Sequence, residues 1–115
     1  IRDARHILGC GPTEYRIGRP RVNRTSDGGY EMRVSSDTMT KKYRCFCLQS
    51  RDAMEFSSKR IIELPLGEVG SWDHEMTCYP ARLDTTHGES YLFYNGNDMG
   101  RTGVGVARME TDTID

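Results

Sequence analysis

The chain of 115 residues has 36% apolar residues, 29% charged residues and a formal net charge of −1. This length and balance are typical of one soluble domain with a modest core. Its apolar runs are far shorter than the roughly 20 residues of a membrane-spanning helix, and domains that bind nucleic acid usually carry a strong basic excess. We therefore expect neither a membrane nor a nucleic acid as partner.

Four cysteines are present, at positions 10, 45, 47 and 78. Cys45 and Cys47 stand two apart in a strand-like run, so both point to one face and cannot easily bond each other. We predict free thiols in a reducing, cytoplasmic location. Zinc ligands usually come as Cys-x-x-Cys on a turn, and the three histidines are scattered, so we assign no metal, nucleophile or cofactor.

The first half of the chain reads as β-structure after a mixed opening segment of residues 1–17. Ser26–Gly29 has strong turn chemistry, and Tyr30–Ser35 alternates with period two, as a half-buried strand does. The predicted strands here are Arg19–Asn23, Tyr30–Ser35 and Tyr43–Leu48. A turn at Arg51–Phe56 enters a fourth, which continues through Lys59–Leu64.

The second half begins after a loop at Pro65–Gly70. Two carboxylates precede a short strand that reaches Pro80, an aromatic strand spans Tyr91–Asn97, and a Gly-rich hairpin leads into a third strand ending at Ala107. The glycines of this hairpin join two strands and do not open a helix, so they do not predict a phosphate loop.

The two halves repeat each other at an interval of about sixty residues. Pro20 matches Pro80, Tyr30–Ser35 corresponds to Tyr91–Gly96, and Tyr43–Leu48 corresponds to Thr102–Ala107. Such a period, with three or four short antiparallel strands per unit, is typical of a β-propeller blade. We predict an all-β chain with a partial blade or arm in residues 1–17 and blades in 18–66 and 67–115.

The motifs of the second unit resemble those of a known family. Trp72–Pro80, Tyr91–Asn97 and Gly100–Gly105 are similar to the last blades of five-bladed β-propeller proteins of the family-43 and family-32 glycoside hydrolases, the arabinanase and invertase superfamily. Gly18–Val22, with the two strands after it, resembles the preceding blade. The likeness covers about Tyr15 to Glu110 and departs from the family at Arg33-Val34, where aromatic residues are usual, and at Phe46, where glycine is usual.

The resemblance implies more blades than this chain encodes. Two blades leave apolar sheet faces uncovered, and a few hundred Å² of such surface costs several kcal/mol at about 25 cal/mol per Å². We therefore expect homo-oligomerisation. Two copies of two and a half blades would complete a five-bladed ring, and three copies would make six blades if residues 1–17 contribute none.

The resemblance also implies a candidate catalytic pair, Asp73 and Glu75. Glycosidases use two carboxylates that flank the scissile bond. Glu75 would be the general acid, with Asp73 as a pKa tuner or sugar ligand; alternatively, Asp73 caps a turn and Glu75 forms a salt bridge. The superfamily uses three acids, and Arg19 stands at one of their places, so the missing acid would be the partner subunit's Asp73.

The candidate ligand-binding residues combine basic, aromatic and amide side chains. Arginine binds carboxylate or phosphate, tyrosine stacks on sugar rings, and asparagine hydrogen-bonds hydroxyls. Each also has a structural alternative: inter-blade salt bridges for the arginines, including Arg33, core packing for the aromatic residues, including Trp72, and tight bends for the asparagines. The candidates are Arg19, Tyr79, Asn95, Asn97 and Arg101.

These features together lead to three functional hypotheses. The first is a carbohydrate-binding or glycosidase-like propeller with its site at the centre of an oligomeric ring. The second is a non-catalytic oligomeric scaffold that kept the fold and lost the site. The third is a piece of a larger enzyme.

Overall fold

A computed structural model describes residues 2–38, 40 and 42–110. It confirms the all-β prediction, with two antiparallel three-stranded sheets: sheet 1 in the order β1-β2-β3 and sheet 2 in the order β4-β5-β6. None of the described segments forms a helix long and apolar enough to cross a membrane. The elements are β1 Glu14–Arg24, β2 Tyr30–Thr38, β3 Tyr43–Ser50, β4 Cys78–Asp84, β5 Ser90–Asn95, the helical turn α1 Asn97–Gly100, and β6 Val104–Arg108.

The predicted fourth strand of the first half is wrong. Residues 51–66, all of them described, contain no strand and pair with β3 only through isolated bridges at Phe56 and Ile61. The predicted turn at Arg51–Phe56 is present, because the Asp52 carboxylate accepts hydrogen bonds from the backbone N–H groups of Met54 and Glu55, both at 2.9 Å. Donors engaged in such a turn cannot join a strand ladder. Strand β1 is longer than expected and begins at Glu14, inside the segment assigned to the N-terminal arm.

Both first strands carry the same irregularity. The pairing of β1 with β2 shifts between Gly18 and Arg21, and that of β4 with β5 shifts between Cys78 and Ala81. Each bulge contains a non-glycine residue with a left-handed backbone followed by proline: Arg19 has φ 57° and Tyr79 has φ 55°. The two sheets are therefore built on one plan.

Pairing corrects the proposed correspondence of the second strands by one residue. Met32 lies opposite Val22 in sheet 1, and Leu92 lies opposite Arg82 in sheet 2. The intervals between these equivalent residues are sixty, so Tyr30 corresponds to Ser90 and not to Tyr91. Matching the two tyrosines by residue type is misleading. The bulge and the hairpin turn have equal lengths in both sheets, so the interval of sixty holds through the second strand.

Two buried clusters lie on opposite faces of sheet 1. Met32, Val34, Phe46 and Leu48 form the first, with Leu8, Ile17 and Phe56 packed against it. The second lies between the sheets and joins Cys45 and Leu64 to Leu92 and Tyr94. Alternation in β2 and β3 produces both clusters, because successive side chains point to opposite faces.

An ionic network also connects the sheets. Arg33 is 2% exposed, and its guanidinium donates to both carboxylate oxygens of Glu63 at 2.9 and 3.0 Å. It also pairs with Glu31 at 2.9 Å, and Glu31 in turn accepts from Arg82 of β4 at 3.1 Å. A buried guanidinium needs such partners, so Arg33 has a structural role, and the ion pair between Arg82 and Glu31 is the one that joins the two sheets.

Candidate functional site

Both carboxylate oxygens of Asp73 form hydrogen bonds that stabilise the loop in which it lies. One of its carboxylate oxygens accepts a hydrogen bond from the Tyr94 hydroxyl at 2.8 Å, and the other accepts from the Ser71 hydroxyl at 3.0 Å. Burial and the neighbouring carboxylate raise the pKa of Tyr94 to about 12, so this hydroxyl remains a donor near neutral pH. The residue fits the structural alternative of a turn anchor.

Asn97 and Trp72 fasten the same loop to the hairpin that follows β5. The Asn97 amide oxygen accepts from the backbone N–H groups of Glu75 at 2.8 Å and Met76 at 3.1 Å, and its nitrogen donates to the Ser71 carbonyl. The Trp72 ring stacks on Tyr94 with centroids 5.4 Å apart. The motif that carries the family resemblance is therefore a packing unit.

Glu75 does not share a strand face with Asp73, because the run around them is a turn. The backbone N–H of His74 donates to the Ser71 carbonyl at 3.3 Å, which bends the chain before β4 begins. Glu75 is exposed, and within the described part of the chain its carboxylate receives no hydrogen bond or ion pair. The structure brings Glu75 and Asp73 together in one loop but gives them different environments.

Asn95 and Arg101 lie in the hairpin between β5 and β6. The Asn95 amide nitrogen donates to the Met99 carbonyl at 3.1 Å. Arg101 is 83% exposed and forms a loose ion pair with Asp98 at 3.7 Å. Exposed pairs of this kind contribute little to stability. Arg101 is accessible to solvent because most of its side chain is exposed.

Arg19 and Tyr79 are brought together although sixty positions separate them. The Arg19 guanidinium lies over the Tyr79 ring, 4.9 Å from its centroid, and the Tyr43 ring lies 6.0 Å from that of Tyr79. The Tyr79 backbone N–H donates to the Ser35 hydroxyl at 2.7 Å, which fixes β4 against the end of β2. Burial and the nearby Tyr43 raise the pKa of Tyr79, so its hydroxyl stays protonated.

Two further residues belong to this corner and were not among the sequence candidates. Arg16 lies 5.9 Å from the Tyr43 ring centroid, and its Nε donates to Asp37 at 3.0 Å. Both Arg16 and Tyr43 pair with Asp37 across β2. Strand register places them there. Tyr43 stands in a predicted strand, whereas Arg16 falls in the mixed opening segment, where the sequence carries no such signal. We call Arg16, Arg19, Tyr43 and Tyr79 the arginine–tyrosine cluster.

The backbone at this cluster is strained. Arg19 and Tyr79 both adopt the left-handed region, where a side chain costs of the order of 1–3 kcal/mol. Such conformations persist only where the surrounding structure enforces them, and they are frequent at binding sites. The strained bulges at Arg19 and Tyr79 therefore make this cluster a candidate functional site.

A groove of about 560 Å³ lies elsewhere, between the β1–β2 turn and the segment after β3. Its polar groups bond each other: the Asp27 carboxylate accepts from the Thr25 hydroxyl and from the Gly29 N–H, and the Ser50 hydroxyl donates to Asp52. In the described residues no group of three His, Cys, Asp or Glu side chains is placed to hold a metal ion. The arginine–tyrosine cluster remains the better candidate site.

The cysteines offer no reactive centre in the core. All four are free thiols, with Cys10 exposed and the other three buried. Burial raises the pKa of Cys45 and Cys47 to about 12 and that of Cys78 to about 11. Thiols of this kind stay protonated and act as small apolar groups.

Two mycobacterial proteins are similar in sequence to this chain. They are the uncharacterized protein Rv1502 of Mycobacterium tuberculosis strain ATCC 25618 / H37Rv and the uncharacterized protein MT1551 of strain CDC 1551 / Oshkosh. Each is 32% identical over 109 residues, which are 95% of this chain and 35% of the relative. The chain thus spans about a third of the length of these relatives. No family model matches the chain. No solved structure matches it either.

Proposed function

We propose that the protein binds carbohydrate through the arginine–tyrosine cluster. The observation that carries this proposal is the Arg19 guanidinium stacked on the Tyr79 ring beside Tyr43, at a corner where both repeated sheets meet. Aromatic rings supply apolar faces for sugar rings, and guanidinium groups supply a fork of donors for hydroxyl or anionic groups. Binding sites commonly combine such aromatic surface with a few polar groups.

The same geometry favours binding over hydrolysis. A glycosidase needs two carboxylates free to act on one bond, and Asp73 uses both of its oxygens for Tyr94 and Ser71. Of the predicted pair, only Glu75 is exposed. Hydrolysis would then require a second acid from another subunit or blade. The resemblance to glycoside hydrolases therefore supports sugar binding more than it supports hydrolysis.

The proposed architecture is a β-propeller in which each sheet stacks on the next. The face of sheet 2 that points away from sheet 1 is apolar and open, with Phe93 42%, Val104 68% and Val106 54% exposed. Their counterparts in sheet 1 belong to the face that packs on sheet 2, so a third sheet would continue the same head-to-tail stacking. Since 109 residues are 35% of the relatives, those proteins have about 310 residues, room for about five units of sixty.

We propose that in this chain a second copy supplies the missing sheets. Residues 2–13 contain no strand, so each copy contributes two sheets; a homodimer would bring together four sheets and a trimer six. Mass in solution by sedimentation or light scattering tests this, with Val104→Lys as the variant. Loss of the oligomer in that variant supports the interface, whereas a monomeric native chain contradicts it.

Binding is tested by titrating a panel of neutral and acidic oligosaccharides calorimetrically into the native protein. We expect Arg19→Ala and Tyr79→Leu to weaken binding at least tenfold, because each removes one half of the stacked pair. The matched control is Arg24 and Tyr30, a second arginine–tyrosine pair at 5.8 Å at the other end of β1. Arg24→Ala and Tyr30→Leu should leave the affinity unchanged.

Two outcomes would decide between this proposal and its alternatives. A well-folded oligomer that binds no sugar would refute it and favour the non-catalytic scaffold. Turnover of aryl glycosides that disappears in Glu75→Gln would show instead that the protein is an enzyme and that Glu75 is its acid.

A further inference from the structure

Arg16 is held in one orientation by a buried carboxylate. Its Nε donates to Asp37 at 3.0 Å, and Asp37 is 1% exposed whereas the Arg16 side chain is 63% exposed. The guanidinium also lies 5.5 Å from the Tyr15 ring centroid and 5.9 Å from that of Tyr43. An arginine tethered through Nε keeps its two terminal nitrogens for another partner.

Among the described residues those terminal nitrogens donate no hydrogen bond within 3.5 Å, although Asp37 and then the nearby Tyr43 hydroxyl raise the pKa of Arg16. The contacts of Arg16 within residues 2–38, 40 and 42–110 use Nε and the two ring faces. Asp37 is itself oriented toward this arginine through one oxygen, and its second oxygen is buried without a hydrogen-bond partner among the described residues. The site thus has a fixed cation whose outward donors are unused.

Arg19 provides a second cation on the far side of the two tyrosines. It is exposed, its guanidinium lies over Tyr79, and it has neither an ion pair nor a side-chain hydrogen bond to any described residue. The order of the groups is Arg16, Tyr43, Tyr79 and Arg19, each within 6 Å of the next. Two guanidinium groups therefore bracket a pair of aromatic rings, and Asp37 offsets only one positive charge.

We infer that this cluster selects sugars that carry an oxyanion, the carboxylate of a uronic acid or the phosphate of a sugar phosphate. The inference rests on the proposed carbohydrate-binding function and adds the charge of the ligand to it. The aromatic rings contact the sugar, and Arg16 and Arg19, one on each side of the rings, present planar guanidinium forks to its anionic groups. Fixing Arg16 through Asp37 reduces the ordering that binding would otherwise require.

The test compares matched ligands on the native protein by calorimetry. Galacturonic and glucuronic acid oligomers are titrated beside their fully methyl-esterified forms, glucose 6-phosphate beside glucose, and inorganic phosphate alone. We expect at least one acidic sugar to bind about tenfold or more tightly than its neutral counterpart, and the difference to shrink as salt is raised. The carboxylate and phosphate arms show which oxyanion is preferred.

Variants locate the effect. Arg16→Ala and Arg19→Ala should each remove most of the preference for the acidic sugar, and Arg16→Lys should restore only part of it because lysine lacks the fork. Arg24 is another exposed arginine of β1, and the Arg24→Ala variant should keep the full preference for the acidic sugar. Circular dichroism of each variant checks that the fold is retained.

The outcomes separate this inference from the function it rests on. Equal binding of neutral and acidic sugars, still lost in Tyr79→Leu, would overturn the selection of an oxyanion while the carbohydrate site stands. Binding of inorganic phosphate with no sugar bound would overturn the carbohydrate function. A preference for acidic sugars that survives in Arg16→Ala and Arg19→Ala would also overturn the inference.

Discussion

A single methyl group at Gly105 should disturb the packing unit that joins the Trp72 loop to sheet 2. Gly105 lies in β6, and a Cβ built on it would stand 2.5 Å from Cζ2 of Trp72, whereas real Cβ atoms keep contacts beyond 3.0 Å. The ring cannot yield easily, because it stacks on Tyr94 and the Trp72 carbonyl accepts from Asn97 N–H at 2.8 Å and the Thr102 hydroxyl at 2.6 Å.

We expect Gly105→Ala to lower the free energy of unfolding by about 1–3 kcal/mol, the usual cost of overpacking a filled site. Gly18→Ala is the matched control, since a Cβ there meets nothing within 4 Å. Replacing a strand glycine at an open position should stabilise by about 0.5–1 kcal/mol. The two variants should therefore differ by about 2 kcal/mol, or about 1 M in urea midpoint.

Urea unfolding followed by far-UV circular dichroism measures this difference without relying on Trp72 fluorescence. A third protein, Gly105→Ala combined with Trp72→Leu, separates the steric effect from β-propensity, because the penalty should nearly vanish once the ring is gone. Equal midpoints for Gly105→Ala and the native chain would refute the packing argument. So would a penalty that persists in the Trp72→Leu background.

Three further predictions concern the polar contacts. Glu63→Gln should cost about 1–3 kcal/mol in urea unfolding, because the buried Arg33 loses its two-oxygen partner; an unchanged midpoint would contradict the network. Tyr94→Phe should cost about 1–2 kcal/mol and alter the tryptophan emission, because Asp73 loses a donor; unchanged emission and stability would count against the anchor. The pKa of Glu14 is lowered: burial raises it, but hydrogen bonds from a backbone N–H, a serine and an arginine outweigh that effect. Its contribution should therefore be present above the ordinary value of 4.5 and be lost as pH falls through the lower folded value, so Glu14→Gln should flatten the acid limb of stability against pH.

The hairpin of sheet 1 was predictable because its signals are local. Asp27-Gly28-Gly29 supplies a turn in which Gly28 takes φ 87°, and the period-two alternation after it matches β2. The same kind of reasoning predicted the turn at Asp52 but failed after it, where the apolar residues of Lys59–Leu64 suggested a strand and the chain forms only an isolated bridge at Ile61. Short polar side chains compete with strand ladders, and the winner depends on geometry that a propensity does not carry.

For the candidate site too, local sequence predicted some features and contacts between distant residues decided the others. The residue types of the Trp72–Glu75 run are compatible with a catalytic pair, but whether a carboxylate faces solvent depends on what lies opposite it. For Asp73 that group is Tyr94, 21 residues further along the chain. Arg16 had no distinguishing pattern around it, and only its pairing with Asp37 across the sheet makes it part of a site.

Local chemistry of the chain was enough to establish β-structure, most turn positions and the sixty-residue spacing, because alternation and turn residues act over a few positions. Which side chains meet was decided by the packing of one sheet on the other. Arg19 and Tyr79 stack because equivalent bulges in β1 and β4 turn them toward each other, and the energy that holds those strained residues comes from contacts distant in the sequence.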